Sequence, residues 1–238
     1  MNRPAHRAII KMTIIALVTF FIYGCSFVSG APGSSRTKPP SLSDKNPTAF
    51  NAQPKKSAVH NFVLAKSYIP GRSGQELELV DVSGEYLIDP NPGPTYGENW
   101  LGHFQLRIIN STGKAVSKFS LPDNKYTQPF FKSKFEFHFA DYNGDGNPDF
   151  TLGQYFSSNG YVYQLFTVKP AGIFPLPVSA QLFVSDMDFA YSPLFQRVGK
   201  KGFQVEFYNN SKGNWYRAIY TWNGARFVQT RVSILREK

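Results

Sequence analysis

The chain has 238 residues, 42% of them hydrophobic and 18% charged, which is enough apolar side chain to build a core and excludes disorder along its whole length. With 19 Gly, 17 Pro, 22 Phe and 13 Tyr, the composition favours strands and turns and excludes an all-helical bundle. The formal net charge of +10 divides into +3 over residues 1–24, +4 over 25–59 and +3 over 60–238, so the folded part is only mildly basic and nucleic acid is not the expected partner.

Residues 1–24 read as a secretory signal peptide: Arg3, Arg7 and Lys11 precede the apolar run from Met12 to Gly24. As a helix that run would reach about 20 Å, short of a hydrocarbon core of about 30 Å, so it suits an export signal better than a permanent span. The sole cysteine, Cys25, excludes an intramolecular disulfide and a Cys-rich zinc site. Ile22-Tyr23-Gly24-Cys25 resembles a lipobox, which implies that Cys25 is lipidated and becomes the mature N-terminus. Two or three acyl chains would hold the protein stably on the extracytoplasmic face of a bacterial membrane. Residues 25–59, rich in Ser, Pro, Gly, Ala and Lys without apolar periodicity, read as a lipidated flexible tether.

Residues 60–238 read as one all-β domain of antiparallel sheets, a sandwich or a partial, divergent β-propeller. Two hairpins lead it: 61–69 with 76–82 around Pro70-Gly71-Arg72-Ser73-Gly74, and 104–109 with 115–121 around Asn110-Ser111-Thr112-Gly113. Between them the proline-rich stretch 87–99 reads as a surface loop. Further strands are expected at 135–139, 150–154, 161–168, 203–208, 215–222 and 227–234, the last two joined through Asn223-Gly224. A short helical turn is the most that 184–196 suggests.

The most informative stretch is Asp141 to Phe150. Oxygen-bearing Asp141, Asn143, Asp145, Asn147 and Asp149 alternate with spacers, a pattern that curls every second side chain toward one point and suits a hard cation such as calcium. Gly144 and Gly146 permit the tight curl, and Asn147 is expected to offer its backbone carbonyl. The twelfth position, where an EF-hand carries Glu, is Leu152, and strands rather than helices flank the loop. The Asp-x-Asn-x-Asp-Gly-x-x-Asp pattern resembles the calcium loops of FG-GAP and VCBS repeats of bacterial surface proteins. That resemblance implies a calcium ion that staples two strands, and a β-propeller blade. The motif occurs once.

A calcium-stabilised, membrane-anchored domain of this kind is expected to serve adhesion, envelope organisation or the binding of a carbohydrate, wall polymer or protein. The competing expectation is a secreted hydrolase of glycosidase type that uses Asp186, Asp188 or Glu206. No serine sits in a nucleophile elbow and no glycine-rich loop opens a helix, and His60, His103 and His138 show no metal-ligand spacing. Trp100, Trp215 and Trp222, with Tyr161, Tyr163, Tyr208, Tyr216 and Tyr220, divide between core and a platform for sugar rings or peptides.

Overall fold

The computed structural model describes residues 52–122, 129–185, 187 and 190–235, all within the compact unit Pro47–Lys238. The expected signal peptide, the lipidation site Cys25, most of the expected tether, and Asp186 and Asp188 lie outside the described residues. Among the described residues there is no helix, and the strands form three open antiparallel sheets, none closed into a barrel.

The first sheet contains β1 (Lys55–Tyr68), β2 (Glu76–Asp89), β3 (Gly97–Ile109) and β4 (Ala115–Ser120) in sequential order, with β5 (Phe130–Phe131) pairing β3. Both expected hairpins are present. The second hairpin is closed by Asn110, whose Oδ1 accepts the N–H groups of Thr112 and Lys114 at 3.1 and 2.9 Å, a turn in which a short polar side chain replaces ladder partners. Leu77, Leu79, Leu106 and Ile108, spaced by two, put one face of the sheet into the core.

The second sheet runs β10 (Leu182–Ser185), β8 (Gly160–Lys169), β7 (Asp149–Ser157) and β6 (Phe139–Ala140), with β9 (Gly172–Leu176) also pairing β8. The third runs β11 (Gln196–Arg197), β12 (Gly202–Asn209), β13 (Asn214–Trp222) and β14 (Phe227–Ile234). Its last turn is the expected Asn-Gly turn, with Asn223 Oδ1 accepting from Ala225 and Arg226 N–H at 3.0 and 2.9 Å.

The sheets meet through aromatic rings, which is where the Phe and Tyr content goes. Phe119 on β4 meets Phe166 on β8 at 5.5 Å between ring centroids, and Phe166 stacks on Phe150 of β7 at 5.3 Å. Tyr163 on β8 contacts Phe195 at 5.3 Å, and Phe195 stacks on Phe203 of β12 at 5.4 Å. Each such pair contributes roughly 0.5–1.5 kcal/mol beyond the area it buries.

Several elements differ from expectation. β1 begins at Lys55, paired with Ile88, so it takes in five residues expected in the tether; an exposed ladder needs backbone partners and no apolar pattern. The loop expected at 87–99 shrinks to 90–96, because Leu87, Ile88 and Asp89 pair with Asn99, Glu98 and Gly97 and the stretch left outside the ladder is the one that holds the prolines. The strand expected at 135–139 does not form as such. Phe135 N–H bonds to Leu64 O at 3.2 Å and Phe137 N–H to Ser67 Oγ at 2.8 Å, which fastens this segment to β1 and leaves only Phe139 and Ala140 to pair β7. In the described part of 184–196, Val184, Ser185 and Gln196 are strand residues, and Ala190 N–H bonds to Met187 O at 2.8 Å, an i→i+3 bond.

One core position carries a charge-bearing group. Asp81 of β2 is fully buried, opposite Phe62 on one side and Phe104 on the other, and neither carboxyl oxygen has a hydrogen bond of good geometry. The carboxyl lies over two glycines: a Cβ on Gly84 would fall 2.6 Å from Oδ2, and one on Gly102 would overlap Oδ1. Burial pushes its pKa up to about 6, against the opposing pull of His103 and His60 and of the Ser83 N–H.

Candidate functional site

The Asp141–Asp149 segment links β6 to β7, with Asp149 the first residue of β7, directly opposite Ala140 and Thr167. Asp141 is the hub of the turn. Its Oδ1 accepts from Gly144 and Asp145 N–H at 2.8 and 3.1 Å, and its Oδ2 accepts from Gly146 N–H at 3.1 Å. Asn143 Oδ1 also accepts from Asp145 N–H, at 3.0 Å. Asp145 Oδ1 accepts from the backbone and side-chain amides of Asn147 at 2.9 and 3.1 Å.

Gly144 is held at φ 71°, in the left-handed region, and a Cβ there would meet Lys200 O at 2.8 Å, so this turn is seated against the connection between β11 and β12. Tyr142 fixes the same contact from the other side. Its ring is fully buried 5.5 Å from Phe203, and its hydroxyl accepts from Phe195 N–H at 2.9 Å.

Asp149 stands behind the turn, fully buried, its Oδ2 accepting from Tyr142 and Asn143 N–H at 2.8 and 3.3 Å. Burial pushes its pKa up to about 6, although Thr167 and those N–H groups pull the other way. Asp149 Oδ1 is buried without a hydrogen bond of good geometry, and so is the facing Thr167 Oγ1. Asp145 differs: burial acts to raise its pKa, but the Asn147 amides, Asn143 and Lys169 outweigh that and hold it below the ordinary carboxylate value. Lys169 Nζ lies 3.4 Å from Asp145 Oδ2. This lysine is invisible in the loop's own sequence because it reaches the site only through the β7–β8 register.

As a cation site the loop offers hard oxygens only, with lone pairs to spare on Asp141 and Asn143 and an unpartnered oxygen on Asp149, which fits the chemistry calcium requires. Among the described residues, however, no three His, Cys, Asp or Glu side chains are gathered closely enough to hold a metal. The turn is held by N–H donors and by Lys169.

The other candidates among the described residues are dispersed. His60 and His103 are exposed on β1 and β3, both opposite Ser83. His138 Nδ1 lies 2.7 Å from Ser192 O. Glu206 on β12 is bound by Arg217 of β13, whose Nη2 and Nε both reach Oε1, at 2.7 and 3.2 Å.

Glu206 also borders a cleft of about 900 Å³ between β10 and the third sheet. Trp215, Tyr208, Gln204 and Gln196 line it too. Trp215 is one of the eight aromatics that the sequence leaves divided between core and platform, and nothing in the sequence joins it to the glutamines, since that requires the strand register.

Compared with known proteins, the chain matches no protein-family model and no curated protein.

Proposed function

We propose that this chain is a non-enzymatic, lipid-anchored protein of the bacterial cell envelope whose β domain is stabilised by calcium and serves adhesion, envelope organisation or ligand binding, in the manner of FG-GAP and VCBS proteins. Residues 1–24 export it, Cys25 carries the lipid, and the following segment spaces the domain from the membrane. Asp141, Asn143, Asp145, Asn147 and Asp149 hold the cation, which staples β6 to β7. The observation that carries the cation reading is the Asp141 hub: one carboxylate gathers three successive N–H groups, so the turn is wound around oxygen-bearing side chains before any ion arrives. Calcium in this site displaces Lys169 from Asp145 and neutralises carboxylates that otherwise repel one another.

The test is thermal unfolding of the full chain in detergent, in millimolar calcium and in excess chelator, with calorimetry alongside. At a hundredfold excess over Kd, calcium is expected to stabilise the protein by about 2.7 kcal/mol. Asp145→Ala is expected to abolish the response, and Asp141→Ala to weaken it strongly. Identical melting in both media, with no heat of binding, would reduce the loop to a turn. For the anchor, Cys25→Ser is expected to release the protein from the membrane fraction; a mutant that stays bound with its N-terminus uncleaved would show a signal anchor instead.

A further inference from the structure

We infer that the cleft between β10 and the third sheet is a binding site for a neutral oligosaccharide. This deepens the proposed function by naming a ligand class, and it depends on neither the calcium loop nor the lipid.

The inference rests on a row of three cross-strand pairs along β12. Gln204, Glu206 and Tyr208 alternate along the strand and so share one face. Their directly opposed partners are Gln196 on β11 and Arg217 and Trp215 on β13. Each pair is in contact: Gln204 Nε2 reaches Gln196 Oε1 at 2.6 Å, Arg217 Nη2 reaches Glu206 Oε1 at 2.7 Å, and the Tyr208 and Trp215 rings lie 5.7 Å apart. All six residues border the cleft. From Gln204 to Tyr208 the row is about 13 Å long, the reach of a short oligosaccharide rather than one ring.

The order of chemistry along the row matches a pyranose chain. A sugar ring has an apolar face of C–H groups, which an aromatic face covers, and a rim of hydroxyls that both donate and accept. Trp215 is 37% exposed, unusual for the largest side chain and suited to stacking. Beside it, Glu206 offers acceptors and Arg217 donors at a spacing fixed by their mutual bond, and the amide pair offers both.

Two observations count against ligands held by charge and against peptides that add a strand. Glu206 and Arg217 are the only charged side chains among the described residues that border the cleft, and each neutralises the other, so no uncompensated cation awaits a phosphate, sulfate or uronic acid. A peptide that binds by adding a strand would need a free strand edge. At the cleft, Tyr208 N–H is already bonded to Ser185 Oγ at 2.9 Å and Tyr208 O to Asn159 Nδ2 at 3.0 Å, while β11 occupies the edge at Phe203 and Gln204.

The experiment is a glycan array probed with the full chain in detergent, carrying neutral, sialylated and sulfated glycans, followed by fluorescence titration with chitohexaose, cellohexaose and the best neutral hit. Of the three tryptophans, Trp215 alone borders the cleft, so binding should change its emission. The expected result is millimolar or tighter binding of at least one neutral glycan, lost in Trp215→Ala and weakened at least tenfold in Glu206→Gln, with melting temperatures unchanged. Glu206→Gln keeps the side-chain volume and decides the matter should Trp215→Ala fail to fold. Absence of any neutral hit, binding of anionic glycans alone, binding of extended hexapeptides in place of glycans, or undiminished binding by a folded variant would each overturn the inference. Cleavage of a bound glycan, read by chromatography, would support the site and instead overturn the non-enzymatic reading.

Discussion

Asp81→Asn is expected to stabilise the protein by about 2–3 kcal/mol at pH 8 and to leave it nearly unchanged at pH 4. The carboxyl is fully buried over Gly84 and Gly102, and burial raises its pKa from 3.8 to about 6. A carboxyl that binds its proton more tightly in the native state contributes stability that is complete below pH 4 and is lost as the pH rises through 6. Above that, a charge sits among apolar side chains without a hydrogen bond of good geometry, and the pull of His103, His60 and the Ser83 N–H does not offset its burial. The amide of Asn resembles the protonated acid in shape and cannot ionise. Denaturant unfolding of both proteins at the two pH values checks this. Asp149 titrates in both and cancels in the comparison, so a difference independent of pH would show that Asp81 keeps an ordinary pKa.

Phe203→Ala is expected to cost about 3–5 kcal/mol, a large part of a stability that for most domains is about 5–15 kcal/mol. Phe203 is fully buried where Tyr142 of the Asp141–Asp149 loop, Phe195, Tyr220 and Phe227 converge, with ring centroids 5.0–5.5 Å away. The cavity would open between two sheets, whose backbones are fixed by their ladders and cannot collapse to fill it. The midpoint of urea unfolding should fall accordingly. Phe156→Ala, at a side chain 56% exposed, should move the midpoint by no more than about 0.5 kcal/mol.

The sequence disclosed what is local. Pro70-Gly71, Asn110 to Gly113 and Asn223-Gly224 marked their hairpins because turn chemistry is a property of a few adjacent residues. The oxygen pattern of Asp141 to Asp149 likewise stood out, and the turn wound around Asp141 follows from it. What escaped depends on partners distant in the chain. β9 carries Pro175, which discourages a strand reading, yet it lies at an outer position where a missing N–H is tolerated. Phe135 and Phe137 alternate like a strand but are fastened to β1, about seventy residues earlier. Lys169 and the Gln204–Gln196 pair reach their sites only through register, which alternation alone leaves open.

The early start of β1 also bears on self-association. Among the described residues, this fourteen-residue strand pairs with β2 along one side and on the other meets the segment of Phe135 and Phe137 near its end, so it presents the kind of edge on which a second molecule could add a strand. Three features blunt it. Lys55, Lys56 and Lys66 are exposed along it, Lys56 and Lys66 each paired with a glutamate of β2, and such charged side chains on an edge discourage an added strand. Asn61, at φ 50°, is the one non-glycine residue with positive φ among the described residues, and with the irregularity at Val63 to Ala65 it keeps the strand from being flat. The Phe135 bridge at Ala65 then occupies the stretch where the strand turns apolar. The chain is thereby kept from zipping into fibres along this long edge strand.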